Sequence, residues 1–99
     1  MRFEWNHDKD RLNRAKHKVS FETACLVFDD PYHLSIQDRH ENGEERWITL
    51  GMVDDVVLLL VAHTVIETGH EEIIRIISAR KATRKERQIY EQAYKKAND

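Results

Sequence analysis

A single cysteine, a single proline and three glycines among 99 residues leave the chain few of the usual devices for building a site. One cysteine cannot form an internal disulfide. Cys25 stands among Ala24, Leu26 and Val27, the setting of a buried thiol in a reducing compartment rather than of a nucleophile. Three scattered glycines provide no phosphate-cradling loop, no serine sits in a nucleophile elbow, and no carboxylates have metal-site spacing. Nucleotide hydrolysis, acyl transfer and metal-dependent nuclease chemistry therefore find no support. The six histidines, His7, His17, His33, His40, His63 and His70, include no pair at the helical i, i+4 spacing of a zinc motif, so neither metal nor cofactor is expected. The longest apolar run, Val56–Ala62, is far short of the ~20 residues of a membrane helix. The opening residues also lack the charged-then-apolar pattern of a signal peptide. A soluble cytoplasmic protein with no membrane partner is the expectation.

Charge, by contrast, is abundant and unevenly spread. The net charge of −2 conceals three blocks. Residues 1–21 carry six Lys/Arg against three Asp/Glu, residues 22–72 two against twelve, and residues 73–99 eight against three. Basic ends around an acidic middle describe a molecule with one face for a polyanion and another for a basic partner or for water.

The hydrophobic pattern predicts a single α+β domain over residues 1–99, with two N-terminal helices, an antiparallel meander of about four strands, and a C-terminal helix. Phe3–Trp5 reads as a strand or an extended arm. Asn6 or Asp8 can cap a helix through about Lys16, and Ser20 can cap a second in which Phe21, Ala24, Cys25 and Phe28 share one face. Asp29-Asp30-Pro31 ends it. Tyr32–Gln37 then reads as a strand, followed by a polar loop over Asp38–Glu45 with Gly43 as its turn residue. Arg46–Val53 alternates, with Arg46, Ile48, Leu50 and Met52 on one side and Trp47, Thr49 and Val53 on the other. Asp54-Asp55 makes a two-residue turn, Val56–His63 a central strand, and Gly69 a further loop.

The chain is organised around Glu71–Tyr94. Ile73–Ala79 has the β-branched density of a buried strand, and Thr83 with Glu86 three residues later has the spacing of a capping box. Between and around them lie Arg80, Lys81, Arg84, Lys85 and Arg87. Cations in a first helical turn oppose the macrodipole at about 0.3–1 kcal/mol each, yet the same place suits a phosphate. The reading is an anion site, against a merely solvated basic face. Arg75 alternates with isoleucines, so it is either a structural ion pair or a bidentate phosphate ligand. Arg80 faces the opposite way by parity unless the strand bends. If the strands ending at His63 and starting at Ile73 pair, His63 falls close to Arg75, as an acid–base and anion-stabilising pair or as an ordinary hydrogen-bonded histidine. His17 lies between Lys16 and Lys18. Tyr90 and Tyr94 form a helical stripe, for packing or for contact with a base or phosphate. Arginine, lysine, histidine and tyrosine together are the set that cleaves RNA without metal: a base takes the 2′-OH proton, cations hold the phosphorus centre, and an acid protonates the leaving oxygen.

The segments FEWNHDKDRLNRAKHKVSFETACLVFDDP, ERWITLG, AHT and RIISARKATRKERQIYE closely resemble the BrnT toxins of bacterial type II toxin–antitoxin systems over nearly the whole chain. The resemblance implies a RelE-like α+β fold and an endoribonuclease that arrests translation. It also implies a cognate BrnA-like ribbon-helix-helix antitoxin, with operator DNA reached only through that antitoxin. Lys16, His17, His63, Arg75, Arg80, Arg84 and Tyr90 occupy matching positions. His17, His63, Arg75, Arg80, Arg84 and Tyr90 are the catalytic candidates; Lys16, Lys18, Arg46, Lys81, Lys85 and Arg87 are the RNA-binding ones. Lys18 stands where members usually carry glycine, so this turn is expected to do without a positive φ. Ile66 stands where many carry arginine, which leaves open weak activity, altered substrate choice, replacement of that arginine by Arg46 or Arg75, or a non-catalytic, antitoxin-binding module acting in operon repression.

Overall fold

The computed structural model of the chain describes residues 1–41 and 43–99. Five strands, β1 (Arg2–Glu4), β2 (Leu34–Glu41), β3 (Glu44–Val53), β4 (Val57–Thr68) and β5 (Glu71–Lys81), form one sheet in the order β1-β5-β4-β3-β2. The expected four-stranded meander is present in β2 to β5, and the first strand corrects it. β1 lies parallel to β5, with Phe3 opposite Ile74, so the two ends of the sequence meet and the sheet is mixed. The helices between β1 and β2 supply the crossover that a parallel pairing needs.

Helix α1 (His7–His17) starts where Asn6 accepts from the Lys9 amide at 3.0 Å. It ends at Lys18, whose φ of 62° is left-handed. The expectation that a lysine would avoid this conformation is overturned. Lys18 stands at the left-handed position at which helices commonly end, where the chain turns out of the helical path, while its amide still reaches the Arg14 carbonyl at 3.0 Å. Helix α2 (Phe21–Ala24), capped by Ser20, is shorter than expected, because the chain tightens into a 3₁₀ turn over Cys25–Asp29. Tightening of this kind is common at a helix end, and Pro31 bars further helix at Asp30.

The polar loop expected over Asp38–Glu45 is largely strand. β2 and β3 pair out to Glu41 opposite Glu44, with a register shift at Asp38, since the ladder uses backbone groups and tolerates polar side chains. Gly43 takes the positive φ of 76° expected of it, and Asn42 lies outside the described residues. Asp54 and Asp55 both have positive φ, 53° and 55°, the conformation that matches strand twist, but Val53 pairs with Val57, so Val56 joins them and the expected two-residue connection has three residues.

Each sheet face has its own core. On one, α1, α2 and the 3₁₀ turn cover Leu59, Val61, Ile74, Ile76 and Ala79 with Val19, Phe21, Ala24 and Val27. Asn13 of α1 is buried against the free margin of β5. Its side-chain amide donates to the Ala79 carbonyl at 2.8 Å and accepts from the Ala79 amide at 3.1 Å, as a neighbouring strand would. On the other face Leu50, Leu58 and Leu60 meet Tyr90 of helix α3 (Arg84–Ala97). This helix covers one end of its face and leaves the other open, where Ile36 is 52% and Ile66 40% exposed.

Candidate functional site

The register between β4 and β5 decides where the candidate cations sit. Ala62 opposes Ser78, whereas His63 opposes Ile76, so Ile77 is an extra residue on β5. One inserted residue reverses the alternation beyond it. Arg80, expected by parity to face away from Arg75, therefore shares its face. Arg80 pairs with Leu60 and Arg75 with Thr64, two positions on the face that α3 only partly covers. The rise of a strand separates these two β4 positions by roughly 13 Å.

The register set by the Gly69-His70 hairpin, in which Thr68 opposes Glu71 and Thr64 opposes Arg75, separates His63 from Arg75. They are neighbours in register, as the sequence suggested, but on opposite faces, so the expected acid–base pair does not form. His63 is 2% exposed. Its Nε2 bonds Thr49 Oγ1 at 2.7 Å, its Nδ1 lies 3.3 Å from the Thr64 carbonyl, and its ring meets Phe28 edge-on at 5.0 Å between centroids. Burial lowers its pKa, and His33 adds to that, against the bond to the Thr64 carbonyl, which raises it. His63 lines an open cavity of ≈ 440 Å³ rimmed by Glu45, Glu67 and Glu72. This is the acidic side of the molecule.

At the junction of β5 and α3 the expected capping box is complete. Thr83 Oγ1 accepts from the Glu86 amide at 3.2 Å, and Glu86 Oε1 accepts from the Thr83 amide at 2.8 Å. Glu86 also holds Arg80 in a two-bond fork at 2.8 and 2.9 Å. That fork, more than anything else, pulls the Glu86 carboxyl down to about 2 and raises Arg80. Arg80 is thus partly committed to a carboxylate, as a structural ion pair would be, while Lys81, Arg84, Lys85 and Arg87 project into solvent. Arg75 has Glu4 at 3.2 Å, with both side chains over 40% exposed, a contact weak enough to exchange for a ligand.

Tyr90 lies apart from the arginines. It is 6% exposed, and its hydroxyl donates to Asp30 Oδ2 at 2.5 Å. Asp30 also accepts from the amides of Tyr32 at 2.9 Å and Met52 at 2.8 Å. Burial pushes the Asp30 carboxyl up, but these three donors outweigh it and hold it low; burial and Asp30 together push Tyr90 high. Tyr90 fastens α3 to the turn before β2. Tyr94 meets Tyr32 edge-on at 4.6 Å. Cys25 is raised to about 11, chiefly by burial, too high for a thiolate nucleophile.

Lys16 and His17 line a concavity of ≈ 220 Å³ at the β5 margin with Asn13, Ile77 and Ser78, and Lys18 borders another with Arg14 and Lys81. These residues place a basic rim around the β5 end of the sheet. Sequence reasoning passed over two residues on the open face. Arg46 opposes both Thr64 on β4 and Arg39 on β2, so Arg39, Arg46, Thr64 and Arg75 form one row across four strands. The alternation that exposed Arg46 would have revealed Thr64, given the pairing. Among the described residues no group of three or more His, Cys, Asp or Glu is placed to hold a metal ion, and no helix is long and apolar enough to cross a membrane.

Comparison with known proteins agrees with this architecture. The structure is similar to the crystal structure of the Brucella abortus ribonuclease toxin BrnT, with a TM-score of 0.65 and 20% identity, covering 85% of this chain and 99% of that one. No curated protein matches the sequence. The profile of the family described as ribonuclease toxin, BrnT, of type II toxin–antitoxin systems matches residues 5–86. With that match spanning most of its length, the chain belongs to the BrnT family of ribonuclease toxins.

Proposed function

We propose that this chain is a metal-independent endoribonuclease, the toxin of a type II pair, and that it cleaves RNA laid across the partly open, arginine-bearing sheet face in a RelE-like manner. Membership supplies the ribonuclease class and an antitoxin partner at family level. The observation that carries the finer reading is the convergence of Arg39, Arg46, Arg75 and Arg80 on one face by register. Guanidiniums in such a row match the oxygens of successive phosphates along one strand. In the reaction the ribose 2′-oxygen attacks phosphorus as its proton leaves, the 5′-oxygen departs with a proton, and a 2′,3′-cyclic phosphate remains. The guanidiniums hold the charge that grows on phosphorus. His17, at the β5 margin beside Lys16, is the imidazole assigned to proton transfer, and Arg84, Lys81, Lys85, Arg87 and Lys18 gather the strand. The partner that silences the toxin is a cognate BrnA-like ribbon-helix-helix antitoxin, which alone contacts operator DNA.

The purified chain is expected to cut RNA in the presence of EDTA, leave cyclic phosphate ends, and lose most activity in His17→Ala and Arg75→Ala. Cutting abolished by EDTA would overturn the mechanism. A second reading, a non-catalytic module that binds the antitoxin and serves repression, draws on the Arg80–Glu86 fork, the inward-facing His63 and Ile66. It predicts normal bacterial growth when the folded chain is expressed alone, where the toxin reading predicts arrest.

A further inference from the structure

Thr64 is 2% exposed, yet its hydroxyl has no hydrogen-bond partner. A buried polar group left unmade is costly and calls for an explanation. Its cross-strand neighbours on both sides are arginines, Arg46 on β3 and Arg75 on β5, and Arg39 continues the row on β2. Valine would fill the same space without an unsatisfied oxygen, so a threonine enclosed by guanidinium-bearing residues is poor structure and good anion chemistry. We propose that Arg46, Thr64 and Arg75 form a phosphodiester subsite, in which the Thr64 hydroxyl donates to a non-bridging phosphate oxygen held by the two guanidiniums.

The surroundings favour RNA over an acidic protein segment. From Arg39 to Arg75 the row crosses three strand spacings, roughly 14 Å, longer than one carboxylate can bridge but suited to a chain charged at every residue. Arginine matches phosphate oxygens bidentately. Ile36, Ile48 and Ala62 flank the row toward α3, with Ile66 and Ile73 beyond it, and these half-open apolar positions suit ribose and base. The inference rests on the RNA-cleavage reading and adds Thr64 to it as a binding residue rather than a proton-transfer group.

The test measures binding of a non-cleavable 2′-O-methyl oligoribonucleotide against salt concentration, alongside cleavage of ordinary RNA. Thr64→Val is expected to keep or raise the melting temperature while weakening oligonucleotide binding about 5- to 10-fold at constant salt slope, and Thr64→Ser to restore it. Arg46→Gln and Arg75→Gln should each reduce the log–log slope by about 0.7, the increment for one phosphate contact on a single strand. Unchanged binding in Thr64→Val, unchanged slopes in both arginine variants, or equal displacement of the oligonucleotide by polyglutamate would each overturn the subsite. If wild type cuts RNA and these variants bind and cut as well as it does, the subsite falls and the cleavage reading stands. If wild type binds through these residues but cuts nothing, the subsite stands and the cleavage reading falls.

Discussion

Lys18 shows how a single residue can oppose its own backbone. Its φ of 62° places a Cβ where glycine would have none, a strain on the order of 1 kcal/mol. Its side chain recovers part of that by donating to the Ala15 carbonyl at 3.0 Å. Lys18→Gly is therefore expected to stabilise the fold by about 0.5–1 kcal/mol, seen as a rise of a few degrees in melting temperature. The same variant removes a rim cation and should weaken RNA binding slightly. Tyr90 presents the opposite case, a candidate for chemistry whose hydroxyl is spent on Asp30. Tyr90→Phe leaves a buried carboxylate short of one donor, at about 1.5–3 kcal/mol. Urea unfolding should register that loss while RNA cleavage per folded molecule stays near wild type; a folded, catalytically dead Tyr90→Phe would return the residue to the active site.

At the scale of elements, α3 and β5 are joined through one carboxylate. Glu86 caps the helix and holds Arg80, and its folded pKa of about 2 lies below the ordinary 4.5. The folded form binds its proton less readily than the unfolded chain, so the contribution of Glu86 is fully present above pH 4.5 and lost as pH falls toward 2. Melting temperatures followed from pH 6 to 2 should drop less steeply in Glu86→Gln than in wild type, from a lower starting value. Much at this scale was legible from local chemistry. Thr83 and Glu86 announced the helix start, Asp54-Asp55 the hairpin, and the alternation of Arg46–Val53 its two faces. What depended on distant partners was hidden. No local signal marks Ile77 as an insertion, because isoleucine suits a bulge no better than a regular strand, and the face of Arg80 followed from it; the isolation of His63 followed from the exact register of the Gly69-His70 hairpin. Gly51 was equally silent: an added Cβ would lie 2.6 Å from that of Val27, a close approach visible only once the 3₁₀ turn is laid over β3. The parallel pairing of β1 could not be read from three residues.

Over the whole molecule, charge sorts by sheet face and not by block of sequence: Arg39 and Arg46, from the acidic middle, share a face with Arg75 and Arg80. Glu45, Glu67 and Glu72 rim the cavity near His63, while Arg75 and Arg80 occupy the opposite face. Ile66 belongs to that arginine face: it opposes Ile73, alternates with Thr64 and is exposed. The position at which the resemblance to BrnT toxins implies an arginine is thus directed at the proposed RNA surface, with no backbone change needed to receive a cation. Ile66→Arg is expected to tighten oligoribonucleotide binding and steepen its salt dependence by about 0.7, as fluorescence anisotropy across a salt series would show. An unchanged slope would mean that the strand does not pass this point. The pattern of charge along the sequence suggested a two-faced molecule, but which residues share a face is set by the register.

The amide of Asn13, lying against β5 as a false strand, also determines how the sheet meets other molecules. A bare ladder margin invites foreign chains to add on, and here one margin is plugged by a single side chain and by β1. Among the described residues what remains is the outer side of the three-residue β1 and the outer flank of β2, the latter already broken by the displaced Asp38. The asymmetry makes Asn13 a guard against fibrous self-assembly as much as a fixture of the core.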